Sequence, residues 1–371
     1  MLLYNYKNII LIGDMMQKEN YVNYIKYTLT TYNKSNKKLL LKIYEREGIA
    51  KKKDSQTTLF EEELVQIDYS NIDESIFECI DRSDKAIEEY EKFQVTRNYK
   101  YSVICTTDNF KDVIQKISSI SQYQYNIEKI NIYDEIKDPI RFEYEDHIIL
   151  LFNKKYEAIH PQTGDELFLH YPVLVVFHKN INLVEIRFDT VKRLFTGGDR
   201  DQNIYNRLID EILKYLEDNY HIKIVPMDLD FMVELTKKDE NKDIKLISQY
   251  MNLATGGKAQ LAVGNNEEYV LPIIGELKNI INDLKDELNN NLKIKDALEQ
   301  FIFEKEETTD YPWIEVLFLN KEGIKTRNNH VKFTFNYMGK SYSLITYYYN
   351  DALIGMERMN DVTRFIGENF N

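Results

Sequence analysis

The sequence predicts an α+β protein of three parts: an N-terminal α/β part, a central antiparallel β-meander with a packed helix, and a C-terminal part of helices and a β-hairpin. The 371 residues exceed the usual size of a single hydrophobic core, and 43% apolar residues can fill several. Apolar residues follow the helical period in some segments and alternate, as in strands, in others. We place the three domains at residues 1–136, 137–245 and 246–371.

The N-terminal part begins with a strand pattern and a helix pattern. "NIILIG" (Asn8–Gly13) has the length and composition of a short strand. The next segment predicts a helix, because its apolar residues follow helical spacing on one face: Val22, Ile25, Leu29 and Tyr32. The β-branched "YTLTTY" keeps a strand as the alternative there. "KKLLLKIYERE" predicts a strand before a basic loop.

Further helices and a strand complete the N-terminal part. Asn71, with Glu74 three residues later, predicts the cap of a helix that runs to about Phe93. "YSVICTT" predicts a strand, and "DNFKDVIQKISSIS" predicts a helix. The apolar face of that helix consists of Phe110, Val113, Ile114, Ile117 and Ile120.

The central part reads as a meander of short strands separated by polar turns. Its strand segments are "IRFEYED", "HIILLFN", "DELFLH", "YPVLVVF" and "LVEIRFD". A helix follows at 203–219, with Asp201 as its predicted N-cap. "HIKIVPMDLDFMVEL" then predicts a return to strand structure.

The C-terminal part starts with two linker-like segments, "TKKDENKD" and "ATGGKAQLAVGNNEE", which flank a predicted short helix, "IKLISQYMNL". Pro272 is placed to begin a helix whose apolar residues alternate in spacings of four and three. A second helix is predicted at about 292–304. Strands at "WIEVLFLN", "HVKFTFNYM" and "YSLITYYY" and a last helix at Asp351–Ile366 complete the chain.

The most strongly patterned stretch, "YPVLVVFHKNINLVEIRFDTV", predicts a β-hairpin. With His178–Asn182 as the loop, Val175 faces Glu185 and Val173 faces Arg187. Strand alternation then gathers a core face of Leu174, Val176, Val184, Ile186 and Phe188. We expect this face to form the centre of the middle domain.

The opposite face of the hairpin carries charged residues at every other position, Glu185, Arg187 and Asp189. One interpretation is a binding surface that a rigid sheet presents to a partner. The other is a half-exposed ladder of ion pairs beside a helix. No nucleophile, metal ligand or acid–base partner accompanies them in the sequence, so the face is a candidate for contact and not for catalysis.

A basic stretch stands out against the formal net charge of −13. That net charge disfavours general wrapping of nucleic acid, because such binding depends on neutralising phosphates. Lys51, Lys52 and Lys53 nevertheless form a local basic patch that can contact nucleic-acid phosphates. The alternative is a solvated strand edge, where lysines oppose aggregation.

Motifs for catalysis and metal binding are incomplete. No two of the six histidines have helical i,i+4 spacing, and Cys79 and Cys105 form no CxxC pair. "PMDLDFMVELTKK" resembles a metal-nuclease core, but Glu234 and Lys237 are three apart, which places them on opposite faces of a strand. The sequence therefore assigns no catalytic residue, metal site or cofactor.

These patterns favour an intracellular, cytoplasmic, non-enzymatic interaction protein. We expect a protein partner or self-association, with nucleic acid as a second partner through the basic patch and no membrane partner. The alternative is a metal-dependent nuclease or other hydrolase whose site is assembled from dispersed residues. The residue usage is typical of AT-rich coding sequence, which favours a low-GC bacterium or its phage and suggests antiviral defence or a mobile element as the setting.

Overall fold

In a computed structural model of the chain, helices are mixed with antiparallel strands, which confirms the α+β class. The structure describes residues 18–52, 64–126, 132–196, 203–237, 243–263, 270–319, 328–348 and 355–370. The predicted strand Asn8–Gly13, the predicted cap Asp201 and the predicted binding residue Lys53 lie outside these ranges. Within them, no helix is long and apolar enough to cross a bilayer.

The N-terminal half of the chain alternates helices with strands. A helix over residues 18–31, α1, comes first and confirms the predicted helix; on the predicted face Ile25 and Leu29 are buried, and Tyr32 lies just beyond the helix. The other elements up to residue 120 are α2 (Lys34–Arg46), β1 (Ala50–Lys52), β2 (Val65–Ile67), α3 (Ile72–Arg82), α4 (Asp84–Gln94), β3 (Tyr101–Thr106) and α5 (Phe110–Ile117).

The remaining elements begin with the predicted meander and helix and end with the predicted helices, strands and last helix, but differ from the prediction between them. They are β4 (Ile140–Glu143), β5 (His147–Ile159), β6 (Glu166–His178), β7 (Leu183–Phe188), α6 (Ile204–Tyr220), β8 (Val225–Pro226), α7 (Phe231–Lys237), β9 (Ile244–Asn252), β10 (Lys258–Ala262), α8 (Ile274–Asp283), α9 (Lys285–Asn289), α10 (Leu292–Glu307), β11 (Asp310–Phe318), β12 (Asn329–Thr334), β13 (Leu344–Tyr348) and α11 (Glu357–Asn369).

The predicted strand at "KKLLLKIYERE" is wrong, because these residues form α2. The side-chain oxygen of Asn33 accepts a hydrogen bond from the backbone N–H of Asn36 at 2.8 Å and caps the helix. Leu40, Leu41 and Tyr44 are buried at helical spacing, whereas Lys42 is exposed. The predicted helix from residue 71 is in turn divided at Ser83 into α3 and α4, because Ser83 has extended backbone angles.

The chain divides into two compact units, and the predicted three-domain division stays a prediction. The first unit contains Met1–Tyr99, Cys105–Val225 and Asp351–Glu368. Its main antiparallel sheet has the strand order β7-β6-β5-β4, and every residue of β7 is buried. A sheet strand that is buried on both faces usually consists of a continuous run of apolar residues. β7 differs, because it contains Glu185 and Arg187.

The hairpin of β6 and β7 differs from its predicted register by one residue. Val176 pairs with Glu185 and Leu174 pairs with Arg187, because the loop begins one residue later than predicted. Directly paired residues share a face, so a one-residue shift moves a whole set of side chains to the other face. The predicted core face is therefore wrong in part: Leu174 and Val176 lie on the face of the charged residues.

The second unit contains Lys100–Ile104, Pro226–Asn350 and Asn369–Asn371. Its strands run in the order β10-β9-β11-β12-β13, followed by the part of β3 that belongs to this unit. The predicted helix "IKLISQYMNL" is wrong, because it forms β9, held between β10 and β11 by antiparallel pairing. β10 occupies part of a predicted linker, and α7 occupies part of a predicted strand.

Three consecutive helices of the second unit, α8, α9 and α10, form what we call the helical arm, residues 270–309. The second predicted helix of this part, at about 292–304, is confirmed by α10, which follows the end of α9 at Asn289. Only Ile274, Leu288 and Ile302 of these helices are buried. The arm is therefore mostly exposed.

Candidate binding face and buried polar clusters

The charged residues of β7 are buried, which contradicts their predicted exposure. Glu185 and Arg187 each have 0% of their surface exposed. Arg187 donates through Nη2 to Glu185 Oε2 at 2.6 Å and to Asn360 Oδ1 at 2.6 Å. A charged pair without solvent access cannot meet a partner's surface, so its role in this structure is internal.

Helix α11 covers this pair, as the alternative interpretation expected for a charged ladder beside a helix. Thr363 donates to Glu185 Oε2 at 2.7 Å, and His178 Nε2 lies 3.1 Å from the same oxygen. Burial acts to raise the pKa of Glu185, but the charge of Arg187 and the hydrogen bonds from His178 and Arg187 outweigh it and lower that pKa to about 2. Glu185 is therefore ionised at neutral pH.

The cluster is not fully satisfied by the residues that the structure describes. Within them, Glu185 Oε1 and Arg187 Nε and Nη1 have no hydrogen-bond partner. Because a buried polar atom without a partner costs free energy, the pair depends strongly on the bonds that it does make.

Asp189, the third charged residue, lies at the edge of a second cluster. Its side chain is 31% exposed and accepts a hydrogen bond from Arg97 Nη1 at 2.6 Å. Arg97 is 1% exposed, and its guanidinium lies 3.9 Å from the ring centroid of Tyr99 and 4.8 Å from that of Tyr32. A contact role for Asp189 stays a prediction, and the structure gives it an ion-pairing role.

A third buried cluster surrounds His170, which is 2% exposed. Its Nδ1 lies 3.1 Å from the hydroxyl of Tyr90, and its Nε2 lies 2.9 Å from Asn153 Oδ1. Burial and the charge of Arg97 lower the pKa of His170 to about 3. The imidazole is thus neutral, with Nε2–H donating to Asn153 and Nδ1 accepting from Tyr90.

His170 makes the protein sensitive to acid. In the unfolded chain His170 is protonated below its ordinary pKa of 6.5, whereas in the folded chain it is protonated only near pH 3. Because the unfolded chain therefore binds more protons between these pH values, the free energy of unfolding falls as pH falls. We expect the free energy of unfolding to decline less steeply with falling pH in the His170→Gln variant than in the wild type. The two slopes should differ by up to about 1.4 kcal/mol per pH unit. Urea unfolding at a series of pH values measures this slope.

The exposed His221 provides the control for that experiment. His221 has a φ of 52°, a conformation that asparagine tolerates, so His221→Asn changes an exposed histidine without backbone strain. This variant should keep the wild-type slope. An unchanged slope in His170→Gln would contradict the assignment of acid sensitivity to His170.

The basic patch is small where the structure describes it. Lys51 is half-buried in β1, which pairs with β2 in parallel, and Lys52 is exposed. Nucleic-acid binding through this patch stays a prediction.

The residues that resemble a nuclease core have other contacts. Asp228 accepts hydrogen bonds from the hydroxyl of Ser343 and from the backbone N–H of Leu229 at 2.8 Å. Glu234 pairs with Lys237 at 2.8 Å within α7. Among the described residues, no three His, Cys, Asp or Glu side chains are grouped so that they could hold a metal ion.

One face of the second unit's sheet, which we call the open face, alternates half-buried side chains with the buried core. Trp313, Glu315 and Leu317 on β11 are half-buried, while the residues between them are buried. His330, Lys332 and Thr334 on β12 follow the same pattern. The sequence showed this alternation, but nothing in it distinguished these strands from others.

The open face combines aromatic rings with cations. Lys332 Nζ lies 3.7 Å from the ring centroid of Trp313, and the Trp313 ring stacks beside Tyr250 at 6.0 Å between centroids. On β13, the ring of Tyr348 lies 4.5 Å from that of His330. Lys100 Nζ lies 4.1 Å from the same Tyr348 ring, so each cation rests on an aromatic surface.

The only carboxylate among these contacts, that of Glu315, is hydrogen-bonded to His330. Glu315 Oε2 lies 3.0 Å from His330 Nε2, and this hydrogen bond is the largest cause of the lowered pKa of Glu315. Burial lowers the pKa of Lys332, and in the part of the chain that the structure describes Lys332 forms no ion pair. The ammonium group thus rests on a ring, and the Glu315 carboxylate acts on it through its charge, without an ion-pair contact.

The helical arm carries a second type of surface, which is apolar. Large hydrophobic residues with 45% to 63% of their surface exposed are concentrated there. They are Ile273, Ile280, Leu284, Leu292, Ile294, Phe301 and Phe303. Exposed large hydrophobic residues concentrated in one segment are typical of interaction sites in proteins.

The described structure therefore offers two surfaces for binding, the open face and the helical arm, and the buried clusters of the first unit are internal. Comparison with protein-family models, with curated proteins and with solved structures finds no match for this chain.

Proposed function

We propose that the chain is a non-enzymatic interaction protein and that the helical arm associates with protein, in the first place with a second copy of the same chain. The observation that carries this proposal is the concentration of exposed large hydrophobic residues on the helical arm. Burying such residues against a partner stabilises a complex by roughly 1.5–3 kcal/mol for each side chain that becomes fully buried.

The spacing of these residues fits a helical partner. On α10, Ile294 and Phe301 are seven residues apart, so this pair lies along one side of its helix. Ile280 on α8 lies four residues before Leu284, the C-cap residue of that helix. Helices that present such pairs bind other helices side by side.

The charges of α10 favour a second copy as the partner. Lys293 and Lys295 lie in its first turn, whereas its last turns hold three glutamates, Glu304, Glu306 and Glu307, and one lysine, Lys305. Two antiparallel copies of α10 would place the lysine end of each helix beside the glutamate end of the other. Opposite charges that flank an apolar seam select the partner and its orientation.

We expect the wild-type protein to associate reversibly and the double variant Ile294→Glu, Phe301→Glu to be monomeric, because two charges would have to be desolvated in the interface. Sedimentation velocity over a wide range of protein concentrations measures the change. Both side chains are exposed, 50% and 45%, so the fold should survive the substitutions.

Gln300→Glu on the same helix is the matched control, since residue 300 is exposed and its side chain is polar already. It adds a charge to α10 without touching the apolar residues, and it should leave association unchanged. A wild-type protein that stays monomeric at every concentration would overturn the proposal of a second copy.

A metal-dependent hydrolase remains the second proposal. It rests on the acidic residues near α7, of which Asp230 is exposed. Incubation with DNA or RNA and Mg²⁺ or Mn²⁺ tests it: cleavage that Asp230→Ala abolishes would support the hydrolase and contradict a binding-only protein.

A further inference from the structure

We infer that the open face binds single-stranded nucleic acid, with bases stacked on Trp313 and Tyr348 and phosphates paired with Lys332 and Lys100. This inference is independent of the helical arm and of the predicted basic patch at Lys51 and Lys52. It rests on the side chains that antiparallel pairing brings to one face of the second unit.

The strand register aligns these side chains in rows across the sheet. Tyr250 pairs with Trp313, and Glu315 pairs with Lys332, which in turn pairs with Thr346. In the next row His330 pairs with Tyr348. Neighbouring strands lie about 4.8 Å apart, so the aromatic positions on β9, β11 and β13 are spaced by one or two strands. A flexible single strand can place successive bases at such intervals.

The aromatic rings provide the stacking surfaces that bases require. Trp313, Tyr250 and Tyr348 are half-buried, so their rings are fixed by neighbours while part of each remains exposed. Every base has a π-face, and stacking on protein aromatics is therefore tolerant of sequence. A ring held in place by the sheet loses little conformational entropy on binding.

The cations provide the partners for phosphate. Lys332 lies over the Trp313 ring and forms no ion pair among the described residues, so it can turn to a phosphate when a base takes its place on the ring. Lys100 lies over Tyr348 and donates to the backbone oxygen of Tyr347 at 2.8 Å. The carboxylate of Glu315 repels a phosphate. This repulsion is weakest when His330 holds the carboxylate by a hydrogen bond, as it does here.

Single strands are favoured over duplexes by the same chemistry. Bases in a duplex are stacked on one another, and their faces are not accessible to a protein ring. The formal net charge of −13 also argues against a long phosphate-tracking groove. A short single strand, held by stacking and by few phosphate contacts, fits the open face best.

The protein contains its own reporter for this test, because Trp313 is its only tryptophan. Titration with oligothymidine and oligouridine of about ten nucleotides should quench tryptophan fluorescence to saturation, and the affinity should fall as salt rises. A duplex of the same length should produce no saturable quenching. No quenching and no binding of either single strand would overturn the inference.

Variants locate the binding site by anisotropy of a labelled oligonucleotide. Trp313→Ala should bind at least about five-fold more weakly, whereas Trp313→Phe should retain most of the affinity because a stacking ring remains. Lys332→Met should weaken binding and reduce its salt dependence. Circular dichroism and thermal melting show whether each variant is folded.

A matched pair of lysine variants separates this site from the basic patch. Lys52→Met removes an exposed lysine of the first unit and should leave both affinity and fluorescence quenching unchanged. Binding that depends on Lys52 and not on Lys332 or Trp313 would overturn the inference and place the nucleic acid on the basic patch.

Discussion

Replacing Arg187 with methionine should lower the free energy of unfolding by about 3–5 kcal/mol. The substitution leaves Glu185 buried and ionised, with 0% exposure and without its cation at 2.6 Å. It also removes the donor to Asn360 of α11. Urea unfolding at neutral pH measures the loss, which should be a large part of the stability of a typical domain.

Two comparisons identify the buried charge as the cause. Arg364→Met removes an exposed arginine that pairs with Asp361, with side chains 53% and 50% exposed, and should cost less than about 1 kcal/mol. The double variant Glu185→Gln, Arg187→Met should be more stable than Arg187→Met alone, since no unpaired charge remains. A double variant that is less stable than the single one would contradict this explanation.

Replacing Arg97 with lysine should be costly even though the charge is kept. The guanidinium donates through Nε to Gln94 at 2.9 Å and through Nη1 to Asp189 at 2.6 Å and to the backbone oxygen of Asn98 at 3.1 Å. An ammonium group cannot reproduce this fork or the packing of a planar group against Tyr99. We expect a loss of about 2–4 kcal/mol, because buried acceptors are left without donors.

Arg46→Lys is the matched substitution at an exposed position. The side chain of Arg46 is 70% exposed and pairs with its neighbour Glu47 at 3.2 Å. Its replacement should change stability by no more than about 0.5 kcal/mol. Equal losses for Arg97→Lys and Arg46→Lys in urea unfolding would show that the buried geometry around Arg97 contributes little.

Long, periodic segments were predictable from the sequence because their burial pattern is local. The strands of the meander, helix α5 and helix α6 each show their buried face within one segment. Two of the wrongly predicted elements, α2 and β9, have apolar runs that fit either period. Their state is decided by the elements that cover them, which a single segment does not reveal.

The polar clusters could not be predicted, because they depend on pairing between distant residues. One residue of loop length decides which side chains share a face with Glu185 and Arg187. The bonds of that pair to α11 join positions 173 and 178 residues apart. One sequence feature does indicate a buried polar cluster. Thr363 lies among the apolar residues of α11 that face inward, and a buried polar side chain needs a hydrogen-bond partner.

The separation of β7 from α11 also affects how the protein forms during synthesis. At about 5–20 residues per second, a ribosome needs roughly 10–30 s to extend the chain from Arg187 to Asn360. During that interval the nascent first unit holds its charged strand without the helix that shields it. The charged residues of β7 and the apolar residues around them are then accessible to chaperones, and the first unit is completed only after α11 has left the ribosome.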